Sequence, residues 1–216
     1  MTTLTIDARF NGPPGSANGG VTCGLLAQAT GLSEVTLRQP PPLGTPMRVR
    51  DGGLYDGTSL VASAAPGTVE LAPLAPVSLK EAALATASYG GWRDHPFPTC
   101  FVCGPESAEG LRLFPGPVRE GVVAAPWAPV DEDPVMVWAA LDCPSAWSHD
   151  LPGRPMVLGR MALRLDRLPE VDEDHVVLGW RVSEEGRKVR TGSALYTEAG
   201  EVLAIAQQTW IVLSQS

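Results

Sequence analysis

No apolar run in this 216-residue chain approaches the ~18 residues a helix needs to cross a bilayer, which excludes a helical membrane span. The opening residues Met1-Thr2-Thr3-Leu4-Thr5-Ile6-Asp7 lack a basic region followed by an apolar core, so no signal peptide is expected. Cysteine is scarce as well. Four cysteines without an export signal fit reduced thiols better than a disulfide frame, and the expected compartment is the cytoplasm. Positive charge falls short of negative: 16 Lys and Arg against 24 Asp and Glu leave a formal charge of −8. That balance serves solubility and argues against general affinity for nucleic acid or an anionic membrane. An anionic small ligand remains compatible with it, because a local cluster of Arg, Lys or backbone N–H groups suffices.

Chemical motifs are equally thin. The three histidines, His95, His149 and His175, stand at no spacing that makes a triad or a ligand set. Ser145 has no Gly-x-Ser-x-Gly elbow around it, which removes the α/β-hydrolase reading. Cys100 and Cys103 supply two of the four ligands a structural zinc needs. His95, Cys143 and His149 complete the set only if the fold brings them in. No thioredoxin-like βαβ pattern surrounds the pair. The expectation is packed thiols and no metal.

What the chain does contain is a statement made twice. Val21-Thr22-Cys23-Gly24-Leu25-Leu26-Ala27 and Val135-Met136-Val137-Trp138-Ala139-Ala140-Leu141 are helix-like and apolar almost all round. A helix without a polar face must be buried on every side, and a curved sheet is the simplest wrapping for it. Strand-like segments follow each stretch. The closing hairpins also correspond: 59–63 and 69–72 about Pro66-Gly67, against 193–196 and 202–205 about Ala199-Gly200. The expected fold is α+β, a double unit of two antiparallel sheets, each wrapped around a central buried helix.

The expected units are residues 1–76, abbreviated at its start, a connecting helix and linker over 77–99, and a fuller unit over 100–216. Within the first, 3–10 alternates as a strand, 11–20 is a Gly- and Pro-rich loop, and the helix stops near Gly31, a C-cap glycine. Further strands are expected at 35–38 and 47–50, kept apart by Pro40, Pro41, Pro42 and Pro46. Ser78 with Glu81 forms a capping box for the connecting helix. In the second unit, strands at 111–114 and 122–125 lead to a helix over 134–148, which opens with an acidic run and Pro134 at its first position. Strands at 161–165, 176–182, 188–196 and 202–213 complete it. Trp127, Trp138, Trp147, Trp180 and Trp210 are expected as core anchors.

Taken in order, several motifs resemble the hot-dog-fold acyl thioesterases in a tandem form. Asn18-Gly19-Gly20 opens the first buried helix as a glycine pair does in that family. The second half reads Cys100-Phe101-Val102-Cys103-Gly104, then Gly110-Leu111-Arg112-Leu113, then Ala140-Leu141-Asp142, an order found in single-domain members. The resemblance implies a long helix swaddled by an antiparallel sheet, two units paired, and active sites between them. In its phenylacetate-pathway and 4-hydroxybenzoyl-CoA branches the glycine precedes a carboxylate by eight residues on one helix. Here the position eight after Gly19 is Ala27, and the position eight before Asp142 is Pro134. The resemblance therefore implies one composite site, with Gly19, Gly20 and Asp142 catalytic and Asn18 binding substrate, and a blank second site.

The residue types suit the chemistry. Thioester hydrolysis builds negative charge on a carbonyl oxygen, and the first N–H groups of a helix lack internal partners and point along its positive end. Glycine permits close approach to that backbone. Asp142 would serve as general base or as nucleophile. The bland alternatives stand beside this: Asn18-Gly19-Gly20 as a turn, and Asp142 released into solvent where Pro144 ends the helix. Arg187, Lys188 and Arg190 would either meet a CoA phosphate or lie solvated on a hairpin. Three functions follow: a thioesterase acting on acyl-CoA or an acyl carrier protein without cofactor, a non-catalytic acyl or CoA binder, and last a hot-dog hydratase, whose Gly-Asp-x-Asn-Pro-x-His stretch is missing. As a monomer or a homodimer, a tandem chain already holds its own pair.

Overall fold

Both apolar stretches are helices in the computed structural model, which describes residues 2–214. The first, α1 (Gly19–Thr30), is capped by Asn18, whose side chain accepts the Val21 N–H. It ends at Gly31, left-handed at φ 71°, a conformation glycine adopts without a Cβ penalty. A short helix, α2 (Leu79–Ala85), carries the expected capping box between Ser78 and Glu81. The second apolar stretch is α3 (Pro134–Ala146), capped by Asp133 with proline in its first turn.

The strands are β1 (Thr2–Leu4), β2 (Glu34–Leu37), β3 (Met47–Arg50), β4 (Gly53–Asp56), β5 (Ser59–Ala65), β6 (Gly116–Arg119), β7 (Val122–Trp127), β8 (Met156–Leu165), β9 (His175–Glu185), β10 (Lys188–Thr197) and β11 (Val202–Val212). They do not form two sheets. All eleven belong to one antiparallel sheet in the order β1-β3-β4-β5-β2-β8-β11-β10-β9-β7-β6. The join is β2 with β8, where Glu34, Val35 and Thr36 face Ala162, Met161 and Arg160. Separate sheets would each leave a row of unpaired N–H and C=O groups at that edge, and pairing them removes both liabilities.

Three further expectations are corrected. Residues 3–10 form a short strand and then a 3₁₀ turn at Ala8–Phe10, because the Asp7 side chain accepts the Arg9 N–H and turns the chain. The first unit's hairpin is β4 with β5, turning at Gly57, and 69–72 is no strand. That segment straps the sheet instead: Glu70 N–H donates to Gln207, Gln207 donates to the Thr68 carbonyl, and Tyr196 to the Leu74 carbonyl. Residues 111–114 are irregular, since Arg112 at φ 54° breaks the extended run.

Side chains alternate across the sheet as its period demands. One face packs on α1 and α3 with Leu26, Leu141, Met161, Leu195 and Trp210 in the core. The other buries Trp180, Ala194, Tyr196 and Ile205 beneath α2 and the strap. All five expected tryptophan anchors are buried. The two long helices touch each other through Gly20 and Gly24. A Cβ on Gly20 would lie 2.6 Å from the Asp142 Cβ and 2.7 Å from the Trp138 carbonyl oxygen, so glycine sets how closely they cross.

Candidate active site

The N-terminus of α1 meets the C-terminal part of α3 at this crossing. Of the first N–H groups of α1, that of Val21 reaches Asn18 Oδ1 at 2.9 Å and that of Thr22 the Asn18 carbonyl at 3.0 Å. The Gly20 N–H leaves the helix and donates to Asp142 Oδ2 at 2.9 Å. Asn18 Nδ2 donates to the same oxygen at 3.2 Å. Gly19, the first helical residue, has no carbonyl within its own helix to bond. Three of the residues singled out from sequence, Asn18, Gly20 and Asp142, are thus in direct contact, with Gly19 beside them.

Asp142 is buried, 2% exposed, and does not leave the helix for solvent as Pro144 would allow. The carbonyls around the proline are taken by side chains. Ser193 Oγ and Gln208 Nε2 donate to the Leu141 carbonyl at 2.6 and 2.8 Å, and Ser145 Oγ donates to that of Asp142 at 3.0 Å. Thr191 Oγ1 and Trp210 Nε1 donate in turn to Ser145 Oγ at 2.9 and 3.1 Å, so this serine is a brace rather than a nucleophile. A satisfied polar network in low dielectric holds its members rigidly. It anchors α3 to the sheet at Leu141, Asp142 and Ser145, on both sides of Pro144. Sequence reasoning missed this network; the alternation of Thr191, Ser193 and Gln208 onto one sheet face was its only signal.

Burial pushes the Asp142 carboxyl up to about 7, against the opposing pull of the Gly20 N–H and the Asn18 amide. Its second oxygen, Oδ1, is buried without a partner. Asp142 also borders a cavity of about 40 Å³, walled by Asn18, Gly19, Cys143 and Leu158 among others. A space of that size accommodates water. Cys100, Cys103 and Cys143 line the same cavity, their sulfurs all within 4.8 Å of one another. Cys143, expected to reach the pair only by convergence in the fold, does converge.

The remaining candidates lie apart from this cavity. His149 Nδ1 bonds Glu184 at 2.9 Å, and burial lowers its affinity for a proton. Arg187, Lys188 and Arg190 are exposed at the β9–β10 turn. A groove of about 640 Å³ that includes Arg119, Arg181 and His149 is not lined by Asp142. At the positions where the sequence expectation set a second, blank site, the residues are Ala27, which offers no carboxylate, and Pro134, which offers no N–H.

A helix pair packed on one face of a continuous antiparallel sheet is the arrangement that hot-dog-fold structures share with this chain. Solved structures agree across nearly the whole chain. A provisionally named thioesterase from Novosphingobium aromaticivorans matches at a TM-score of 0.64 and 16% identity, over 98% of this chain and 95% of its own. A conserved hot-dog-fold protein of unknown function from Alicyclobacillus acidocaldarius matches at 0.62 and 9%, over 99% and 93%. The tesB protein of Mycobacterium avium subspecies paratuberculosis matches at 0.59 and 10%, over 98% and 92%. No protein-family model and no curated protein matches the sequence. At such low identities the likeness carries the fold alone. Among the described residues no helix is long and apolar enough to cross a membrane.

Proposed function

We propose that the chain is an acyl thioesterase, acting on acyl-CoA or an acyl carrier protein at one composite site between its two halves. The observation that carries this reading is the buried Asp142, which borders a cavity fit for water, held through Oδ2 by Gly20 and Asn18 while Oδ1 stays unpaired. The N-terminal half supplies the helix end and the C-terminal half the carboxylate, a tandem arrangement with one site kept and one lost. In the reaction the Gly19 N–H receives the developing oxyanion at the positive end of α1. Asp142 Oδ1 takes a proton from water, whose oxygen bonds the acyl carbon. As the C–S bond breaks, the proton passes from Asp142 to the departing sulfur. A base that titrates near neutrality matches this double task. Asn18 and Gly20 position the carboxylate, and Asn18 also borders the substrate. The name of the Novosphingobium protein supports the same class for this chain.

A second reading, a non-catalytic acyl or CoA binder, draws on the Gly20 N–H being already occupied by Asp142. The cavity, about 40 Å³, is also smaller than an acyl group requires, so any substrate must displace its wall at Phe97, Leu151 or Met156. Acyl-CoA esters of graded length, assayed for free thiol, separate the two. A thioesterase releases CoA with the wild type and at least ~10²-fold more slowly with Asp142→Asn. A binder gives calorimetric affinity for acyl-CoA without release, and that outcome would defeat the hydrolytic mechanism.

A further inference from the structure

We propose that Cys100, Cys103 and Cys143 form a zinc site that ties the loop after α2 to helix α3. The three thiols come from two distant parts of the chain, are all buried, and place their sulfurs within 4.8 Å of one another. Cys100 Sγ and Cys143 Sγ are 3.7 Å apart. The S–S edge of a tetrahedral site with metal–sulfur bonds of ~2.3 Å is about 3.8 Å, so little movement would close it around an ion.

The loop has the form of a metal knuckle. The Gly104 N–H donates to the Cys100 carbonyl at 2.8 Å, which folds Cys100 and Cys103 to one side. A Cβ at Gly104 would collide with the Cys100 amide nitrogen, so the turn demands glycine. Asn18 Nδ2 lies 3.8 Å from both Cys100 Sγ and Cys143 Sγ. Donors converging in this way satisfy the lone pairs of thiolates and orient metal ligands. Thiols packed only as small apolar residues have no need of them.

His95 braces the site from outside. Its Nδ1 accepts the Phe97 N–H at 2.9 Å, which leaves the proton on Nε2 to donate to the Cys103 carbonyl at 3.2 Å. Nε2 also lies 3.4 Å from Cys103 Sγ, a donor to sulfur rather than a ligand. Three thiolates are then the protein's whole contribution, and the fourth position falls to water in the cavity that all three cysteines line. Soft sulfur donors in tetrahedral array select zinc over magnesium, calcium or manganese. This assignment stands whether or not the chain hydrolyses thioesters.

The test is metal content on the full-length chain. Protein expressed in zinc-supplemented medium and dialysed against metal-free buffer should carry one zinc per chain by mass spectrometry. Mercurial titration should release that zinc, and cobalt exchanged into its place should show thiolate-to-cobalt charge-transfer absorption. Cys143→Ser and Cys100→Ser should each lower the stoichiometry at least tenfold, while Cys23→Ser, a buried cysteine outside the cluster, should keep it. If the serine variants fail to fold, a chelator titration of the wild type replaces them, with zinc loss and a falling melting temperature expected together. Wild-type protein holding only trace zinc, with no cobalt charge-transfer band and four thiols free on unfolding, would overturn the proposal. Full zinc retention by Cys143→Ser would overturn it equally.

Discussion

Asp142→Asn should make the protein inactive and more stable, and the gain should grow with pH. The carboxyl is raised from its ordinary 3.8 to about 7 by burial. A raised carboxylate means the fold prefers the protonated form, so the penalty is absent below pH 3.8, builds between 3.8 and 7, and is complete above 7. Three pH units correspond to about 4 kcal/mol at most, and relaxation around the site brings the expected gain to roughly 2–4 kcal/mol at pH 8. Asparagine fits the same space. Its carbonyl oxygen can stand where Oδ2 accepts from Gly20 and Asn18, and its amide can take the place of Oδ1, which now lacks a partner. For a chain of this size each kcal/mol raises the melting temperature by roughly 2–4 °C. Urea denaturation at pH 8 and pH 5, with thioesterase assays alongside, checks both halves of the prediction. The gain at pH 5 should shrink to below ~2 kcal/mol. A variant less stable than wild type at pH 8, or a gain identical at both pH values, would refute this reasoning.

Three other substitutions probe what positions the site. Gly20→Ala drives a methyl into Asp142 Cβ and the Trp138 carbonyl, so the denaturation midpoint should fall by at least ~1–3 kcal/mol and turnover should fall with it. Gln208→Leu removes donors to the Leu141 carbonyl and Ser193, and should cost about 1–3 kcal/mol in urea melts while slowing turnover through a displaced Asp142. Ala27→Ser, at the blank site, should leave kcat/KM within about twofold of wild type in the same assay.

Short-range physics made much of this protein legible in advance. An apolar circumference forces a helix inside, Asn18 and Gly31 close α1, Asp133 and Pro134 open α3, and Ser78 with Glu81 caps α2. Each depends on groups within about four residues. That Asp142 would meet the glycine end of α1 was likewise an expectation of the sequence, and Gly20 and Asn18 do contact it. Only the tertiary structure decided that β2 would meet β8 and fuse two sheets into one, and that 69–72 would strap the outer face instead of closing a hairpin. It also decided the fate of Asp142. Pro144 announces a helix end, yet donors 52 and 67 residues away in sequence hold the chain helical and buried. Cys143 reaches Cys100 across 43 residues in the same way. Such contacts depend on strand register and helix crossing, which are set by burial summed over the whole chain and leave no periodic trace around any one residue.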